Sequence, residues 1–125
     1  MRRVKLKNTI FALNNILQAV EGSSELGDLD SESRAILKFV GANEAADHEI
    51  CVTDITKNAA LGGSAVTLMR RLDKLQECGW LVASKSALHH RRIRLTLSPK
   101  ASKVLNAVSE NLDSEIKSML KKSNA

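Results

Sequence analysis

A chain of 125 residues has the length of one domain, enough for a single modest core. With one Trp, two Phe and no Tyr, that core must come from Leu, Ile, Val and Ala, and aromatic platforms on which single-stranded DNA or RNA stacks are not expected. The formal charge of +5 and isoelectric point near 9.5 favour an acidic partner.

Residues 1–7, MRRVKLK, read either as a basic arm or as a frayed end. From Asn8 to Val20 the apolar residues Ile10, Leu13, Ile16, Leu17 and Val20 keep a helical period, and Gly22-Ser23-Ser24 breaks it. A polar loop leads to a second helix from Ser31, with Ile36, Leu37, Phe39 and Val40 on it and Gly41 as its expected end. Residues 42–49 read as an acidic linker, either a surface loop or, given its alanines, a partly helical one, and Ile50-Cys51-Val52 reads as an edge strand able to pair with a later hairpin. Thr53 is the expected cap of a brief helix from Asp54 to Ala60, with Asp54 in the first turn where negative charge is favoured.

Leu61-Gly62-Gly63 allows a sharp reversal. Ser64 then caps a helix, 64–78, on which Leu68, Leu72 and Leu75 recur at i, i+4 and i+7 and face a core. Opposite that stripe in the first two turns lie Val66, Thr67 and Arg70, with Met69 and Lys74 at the flanks. Gly79 stops the helix. Trp80 to Ala83 and Arg92 to Leu97 read as two strands; in the second, Ile93, Leu95 and Leu97 alternate with Arg92, Arg94 and Thr96. A polar tip, Ser84 to His90, joins them. Two helices across a glycine turn, followed by a hairpin with a cationic tip, make a winged helix-turn-helix. Ser98-Pro99 opens a last helix whose stripe, Val104, Leu105, Val108, Leu112, Ile116, Met119 and Leu120, is longer than a compact core needs. The first and last helices, 1–22 and 99–122, therefore either pair with their copies in a two-fold homodimer or pack on each other.

Charge is segregated along the chain. From Glu21 to Asp54 there are nine carboxylates against Arg34 and Lys38. From Cys78 to Ser109 there is none, while Lys85, Arg91, Arg92, Arg94, Lys100 and Lys103 are basic. One stretch repels a polyanion and the other attracts it. With no secretory signal and no run of 18 apolar residues, the cytoplasm of a bacterium or archaeon is the expected compartment, with Cys51 and Cys78 reduced. A buried inert thiol and a redox sensor are the two readings of each cysteine. His48, His89 and His90 lack Cys or Asp at ligand spacing, adjacent histidines in a strand point to opposite faces, and no nucleophile, base and orienter occur together. No catalysis, cofactor or metal is expected; the paired histidines instead offer a pH-sensitive tip.

Three stretches resemble the MarR family of bacterial transcriptional regulators and their winged-helix relatives. Residues 54–62, DITKNAALG, resemble the family's first helix-turn-helix helix; residues 67–82, TLMRRLDKLQECGWLV, its recognition helix and wing entry; residues 90–100, HRRIRLTLSPK, its second wing strand and exit. Where the family carries an Asp just before its arginines, this chain has His89 or His90; its recognition helix also lies a little further from Leu61, and the chain is somewhat shorter. The resemblance implies one domain, mainly α with a small β wing in the order α-α-β-α-α-β-β-α, with a DNA-binding core over 50–98 and flanking dimerisation helices.

The resemblance further implies binding of double-stranded DNA by a homodimer on a pseudo-palindromic operator, the helix in the major groove and the wing, 84–92, on backbone or minor groove. Ser64 and Thr67 would offer hydroxyls, Val66 a methyl contact beside Met69, and Arg70 a bidentate guanine contact. Lys74, Lys85, Arg91 and Arg92 would meet phosphate or the minor groove. Family members also take small-molecule effectors, for which this chain presents no assignable residue set. The competing reading is a winged-helix module that binds an acidic protein.

Overall fold

The structure, a computed structural model, describes residues 8–123; the basic start at 1–7 lies outside the described residues. In chain order, α1 is Thr9–Ser23, α2 Ser31–Ala45, β1 Ile50–Cys51, α3 Val52–Thr56, α4 Ala65–Glu77, β2 Leu81–Lys85, β3 Ile93–Leu97 and α5 Pro99–Ser123. Short 3-10 turns occupy Glu25–Asp28 and Ala59–Leu61. This is the α-α-β-α-α-β-β-α order expected, with one small antiparallel sheet in the order β1-β3-β2.

The described residues form two compact units, one from 8–28 with 104–123 and one from 29–103. In the first, Val20, Leu26 and Val108 are buried. Ile10, Phe11, Leu13 and Leu120 stay exposed at 70%, 52%, 39% and 54%. A half-open groove of about 380 Å³ runs along α1 past Asn15, Ile16, Ala19, Val20 and Ser23 to Glu115.

The second unit is built on aliphatic burial. Ile36, Leu37 and Val40 of α2, Ile55 of α3, Leu68, Leu72 and Leu75 of α4, and Leu95 of β3 are each at most 2% exposed. At about 1.5–3 kcal/mol for each such side chain taken out of water, this cluster dominates the unit's stability. The sheet closes over it in register, with Ile50 opposite Leu95 on one side and Ala83 opposite Leu95 on the other. The alternation read along β3 holds for buried Leu95 and half-buried Leu97, whereas Ile93 projects past the core and is 52% exposed.

Several boundaries differ from the sequence expectation, among them that of α1, which runs through Gly22 to Ser23. α2 passes through Gly41 to Ala45 and is closed instead by Asp47, the one described non-glycine residue with positive φ (57°). The N–H groups of Asp47 and His48 donate to the carbonyls of Glu44 (3.0 Å) and Asn43 (2.8 Å), the paired bonds with which a left-handed residue closes a helix. α3 starts at Val52, with Thr53 inside it, because the Asp54 carboxylate reaches back to the N–H of Cys51 at 2.8 Å. It stops at Thr56, and Asn58 starts a new turn by accepting from Ala60 through its side chain (3.0 Å) and from Leu61 through its carbonyl (3.1 Å). β2 begins one residue later than expected and runs to Lys85, so the tip spans 86–92 and holds His89 and His90 outside either strand.

Candidate nucleic-acid interface

The helix proposed for recognition is fixed at both ends by its own sequence. At the start, the Ser64 hydroxyl accepts from the N–H of Thr67 at 3.2 Å and lies 3.1 Å from the Thr67 hydroxyl. These two hydroxyls are therefore engaged with one another, and one O–H of the pair remains to meet a partner. Before it, Gly62 and Gly63 take φ of 77° and 84°, the left-handed turn expected of them. At the end, Gly79 (φ 79°) donates to the Gln76 carbonyl at 3.1 Å and Trp80 to that of Leu75 at 2.8 Å. Trp80 and Leu75 are both buried and complete the motif with the apolar pair that usually accompanies it.

With Leu68, Leu72 and Leu75 buried, α4 turns Val66 (63% exposed), Met69 (39%), Arg70 and Lys74 outward. Thr67, expected on that face, is half-buried. The same face carries exposed Asp73 and Glu77 in its last turns, so only the first two turns suit a polyanion. Arg71 escaped the sequence reading. Its Nε lies 3.9 Å from Asp30 Oδ2, the carboxylate that caps α2 by accepting from Ser33 N–H at 2.8 Å. The hydrogen bonds from Ser33 hold the Asp30 carboxyl below its ordinary pKa, and attraction to Arg71 and Lys74 acts in the same direction. Its helical spacing beside the apolar stripe is the one signal that could have singled it out, and nothing in the sequence ties it to Asp30.

The wing presents Lys85, Arg91 and Arg92 to solvent, together with His89, His90 and Leu88, the last 74% exposed. Its base is anchored by acids that the sequence reading left in a surface linker. Glu49 accepts from the Ser86 hydroxyl (2.9 Å) and the Ala87 N–H (3.2 Å), while Glu44 accepts from the Leu97 N–H at 2.8 Å, beyond the reach of the two-residue β1. Between these acids and the wing lies a cavity of about 220 Å³, lined in part by Asp47, His48, Leu88 and half-buried Arg94. Cys51 is buried beside this base. Burial pushes its thiol pKa up, with Glu49 and Asp54 adding to the effect and the Ser86 hydroxyl and Arg92 opposing it, so this thiol is a poor nucleophile. Cys78 is exposed at the end of α4. The exit from β3 is locked by Ser98, whose hydroxyl donates to the Gly79 carbonyl (2.6 Å) and accepts from Ala101 N–H (3.0 Å) at the start of α5. Lys100 Nζ sits 4.4 Å from the centre of the Trp80 ring. Among the described residues, no group of three or more His, Cys, Asp or Glu is placed to hold a metal, and no helix is long and apolar enough to cross a membrane.

No family model and no curated protein matches the sequence. Solved structures do match the fold. MepR, a transcription regulator of the Staphylococcus aureus multidrug efflux pump MepA, superposes with a TM-score of 0.67 at 18% identity, covering 94% of this chain and 84% of MepR. A MarR-like transcriptional regulator from Thermotoga maritima gives 0.68 at 17% identity, covering 96% and 84%. The S. aureus MepR–DNA complex gives 0.64 at 17% identity, covering 92% and 77%. At these identities the likeness is one of fold, and it spans the helices, the sheet and the wing alike: the chain has the winged-helix fold of the MarR-like regulators.

Proposed function

We propose that this chain is a transcriptional regulator that binds double-stranded DNA in a sequence-specific manner as a homodimer in the bacterial cytoplasm, without catalysis of its own. The observation that carries the reading is the pairing, within one compact unit, of a firmly capped α4 that exposes Val66, Met69 and Arg70 with a carboxylate-free wing that exposes Lys85, Arg91 and Arg92. A chain with the same fold has been solved bound to DNA, which supports the same use here. The first two turns of α4 enter the major groove, where Arg70 reads guanine and Val66 and Met69 meet thymine methyl groups. Ser64 and Thr67 share one free hydroxyl proton for a base or phosphate. Lys74, Lys85, Arg91 and Arg92 neutralise phosphate, the wing arginines along the backbone or in a narrow minor groove.

Dimerisation accounts for the apolar exposure of the flanking helices. Ile10, Phe11 and Leu13 occupy the first turns of α1, and Leu120 the last turns of α5. Several large apolar side chains left in water at helix ends are what a two-fold interface covers. Sedimentation of the purified protein should give a dimer, and Phe11→Glu should give a monomer. Selection from a random duplex library should return half-sites repeated about one helical turn apart. A library with no enriched sequence, or a wild-type monomer, would refute the corresponding part. Failure to bind any duplex at low salt would favour the protein-interaction module instead.

A further inference from the structure

The tip of the wing is held by a carboxylate from a distant part of the chain. A serine hydroxyl has one proton to donate and two lone pairs to accept with. In Ser86 both lone pairs are occupied, by the N–H groups of Leu88 (3.1 Å) and His89 (3.0 Å). Its proton must therefore go to Glu49 Oε2, at 2.9 Å. The other oxygen of Glu49 accepts from Ala87 N–H at 3.2 Å. Two backbone bonds, Ser86 N–H to the Arg92 carbonyl (3.0 Å) and Arg92 N–H to the His89 carbonyl (2.9 Å), close the loop. The Ser86 hydroxyl is fully engaged, and the residue is 4% exposed although its neighbours in the tip are exposed. A loop that would otherwise sample many conformations is thus tied to one, and Arg91 and Arg92 lie directly on it.

We propose that Glu49 is the positioning residue of the wing: its carboxylate, through Ser86 and Ala87, fixes the tip so that Arg91 and Arg92 are presented to duplex DNA already ordered. The inference rests on the DNA-binding reading above and adds to it a residue that never touches the nucleic acid. It also opposes simple electrostatics. A negative charge near a phosphate-binding surface weakens association, so its removal ordinarily strengthens binding. Ordering the tip acts in the other direction, because a loop already fixed loses less conformational freedom when it binds. The sign of one substitution separates the two.

The test compares the full-length wild type with Glu49→Ala, Glu49→Gln, Ser86→Ala, Arg91→Ala/Arg92→Ala and the triple variant. Each is titrated against a mixed-sequence duplex by fluorescence anisotropy, and amide exchange at 86–92 is followed without DNA. Removing the carboxylate should weaken binding by about fivefold and speed exchange at Ala87, Leu88 and His89. Ser86→Ala, which changes no charge, should do the same. Glu49→Gln keeps an acceptor for the Ser86 proton but turns an N–H toward Ala87, so it should recover part of the affinity. In the background lacking both arginines, Glu49→Ala should no longer weaken binding. Binding by Glu49→Ala as tight as the wild type's, or an equal loss with and without the arginines, overturns the role of Glu49 and leaves the DNA reading standing. A wild type that binds no duplex, with the three amides still protected, overturns the DNA reading and this role together.

Discussion

Helix α4 and the wing both expose cations, yet they are held in place by opposite kinds of force. α4 is seated by Leu68, Leu72 and Leu75, each at most 2% exposed, and its caps are closed by bonds between residues no more than five positions apart. The wing buries little, and its tip depends on hydrogen bonds to Glu49, 37 and 38 positions away. Apolar burial is non-directional and spread over many atoms, so α4 should tolerate charge changes on its outer face with little movement. A hydrogen-bonded latch is directional and rests on a few atoms, so single substitutions should displace the wing while the core stays folded.

That contrast can be broken or sharpened by substitutions on each side of it. The largest effect should come from Leu72→Ala, which removes a fully buried side chain and leaves a cavity. A loss of about 2–5 kcal/mol is expected in denaturant unfolding, and DNA binding should fall in proportion to the unfolded fraction. A loss below about 1 kcal/mol would mean that α4 is not seated by its leucines. Next, Arg91→Ala/Arg92→Ala should leave unfolding unchanged but lower duplex affinity about tenfold and flatten the salt dependence by nearly one logarithmic unit per lost phosphate contact. An unaltered slope would remove these arginines from the phosphate-binding set.

The glycines sharpen the account of α4. Gly79→Ala meets open space and suffers only the left-handed backbone, about 1–2 kcal/mol, whereas at Gly63 the new Cβ also comes within 3.3 Å of Thr67 Cγ2. Thermal unfolding should therefore rank Gly63→Ala below Gly79→Ala, and the reverse order would contradict the packing of the turn. Ser64→Ala should cost about 1 kcal/mol through loss of the cap.

The smallest effect is electrostatic. Asp30 has a folded-state pKa below its unfolded value, so it contributes stability above the unfolded pKa and loses it as pH falls through the folded pKa. Stability curves of the wild type and Asp30→Asn should differ near neutrality and converge in acid below pH about 4. Because the Asp30 side chain is 56% exposed in its pair with Arg71, the gap should be small and shrink with added salt. A gap that persists at low pH would place the effect elsewhere.

The same division explains what was legible in the sequence. The apolar period of α4, its Ser64 cap, the Gly62-Gly63 turn, the stop at Gly79 and the Ser98-Pro99 start of α5 are local signals, and each stands in the structure where it was read. The edge strand was also legible, since Ile50 and Cys51 pair with β3. Where the reading of α2 and α3 went astray, a competing local bond won. Asp47 took the left-handed position expected of Gly41, and Asp54 reached back to Cys51 so that the helix began before Thr53. The wing anchor was not legible. Glu44 and Glu49 read as solvated acids because their partners, Leu97, Ser86 and Ala87, are brought to them only by the folded sheet. For the same reason the hairpin, which has no carboxylate of its own beside its arginines, read as unsupported, whereas Glu49 reaches it from outside the wing.

If α4 and the wing together neutralise the phosphates of duplex DNA, binding must depend steeply on salt. Anisotropy titrations of the wild-type protein against a mixed-sequence duplex at roughly 50 and 200 mM salt should show affinity falling on the order of tenfold or more as counterion release loses its advantage. No detectable binding at the lower salt, or an affinity indifferent to the change, would contradict it.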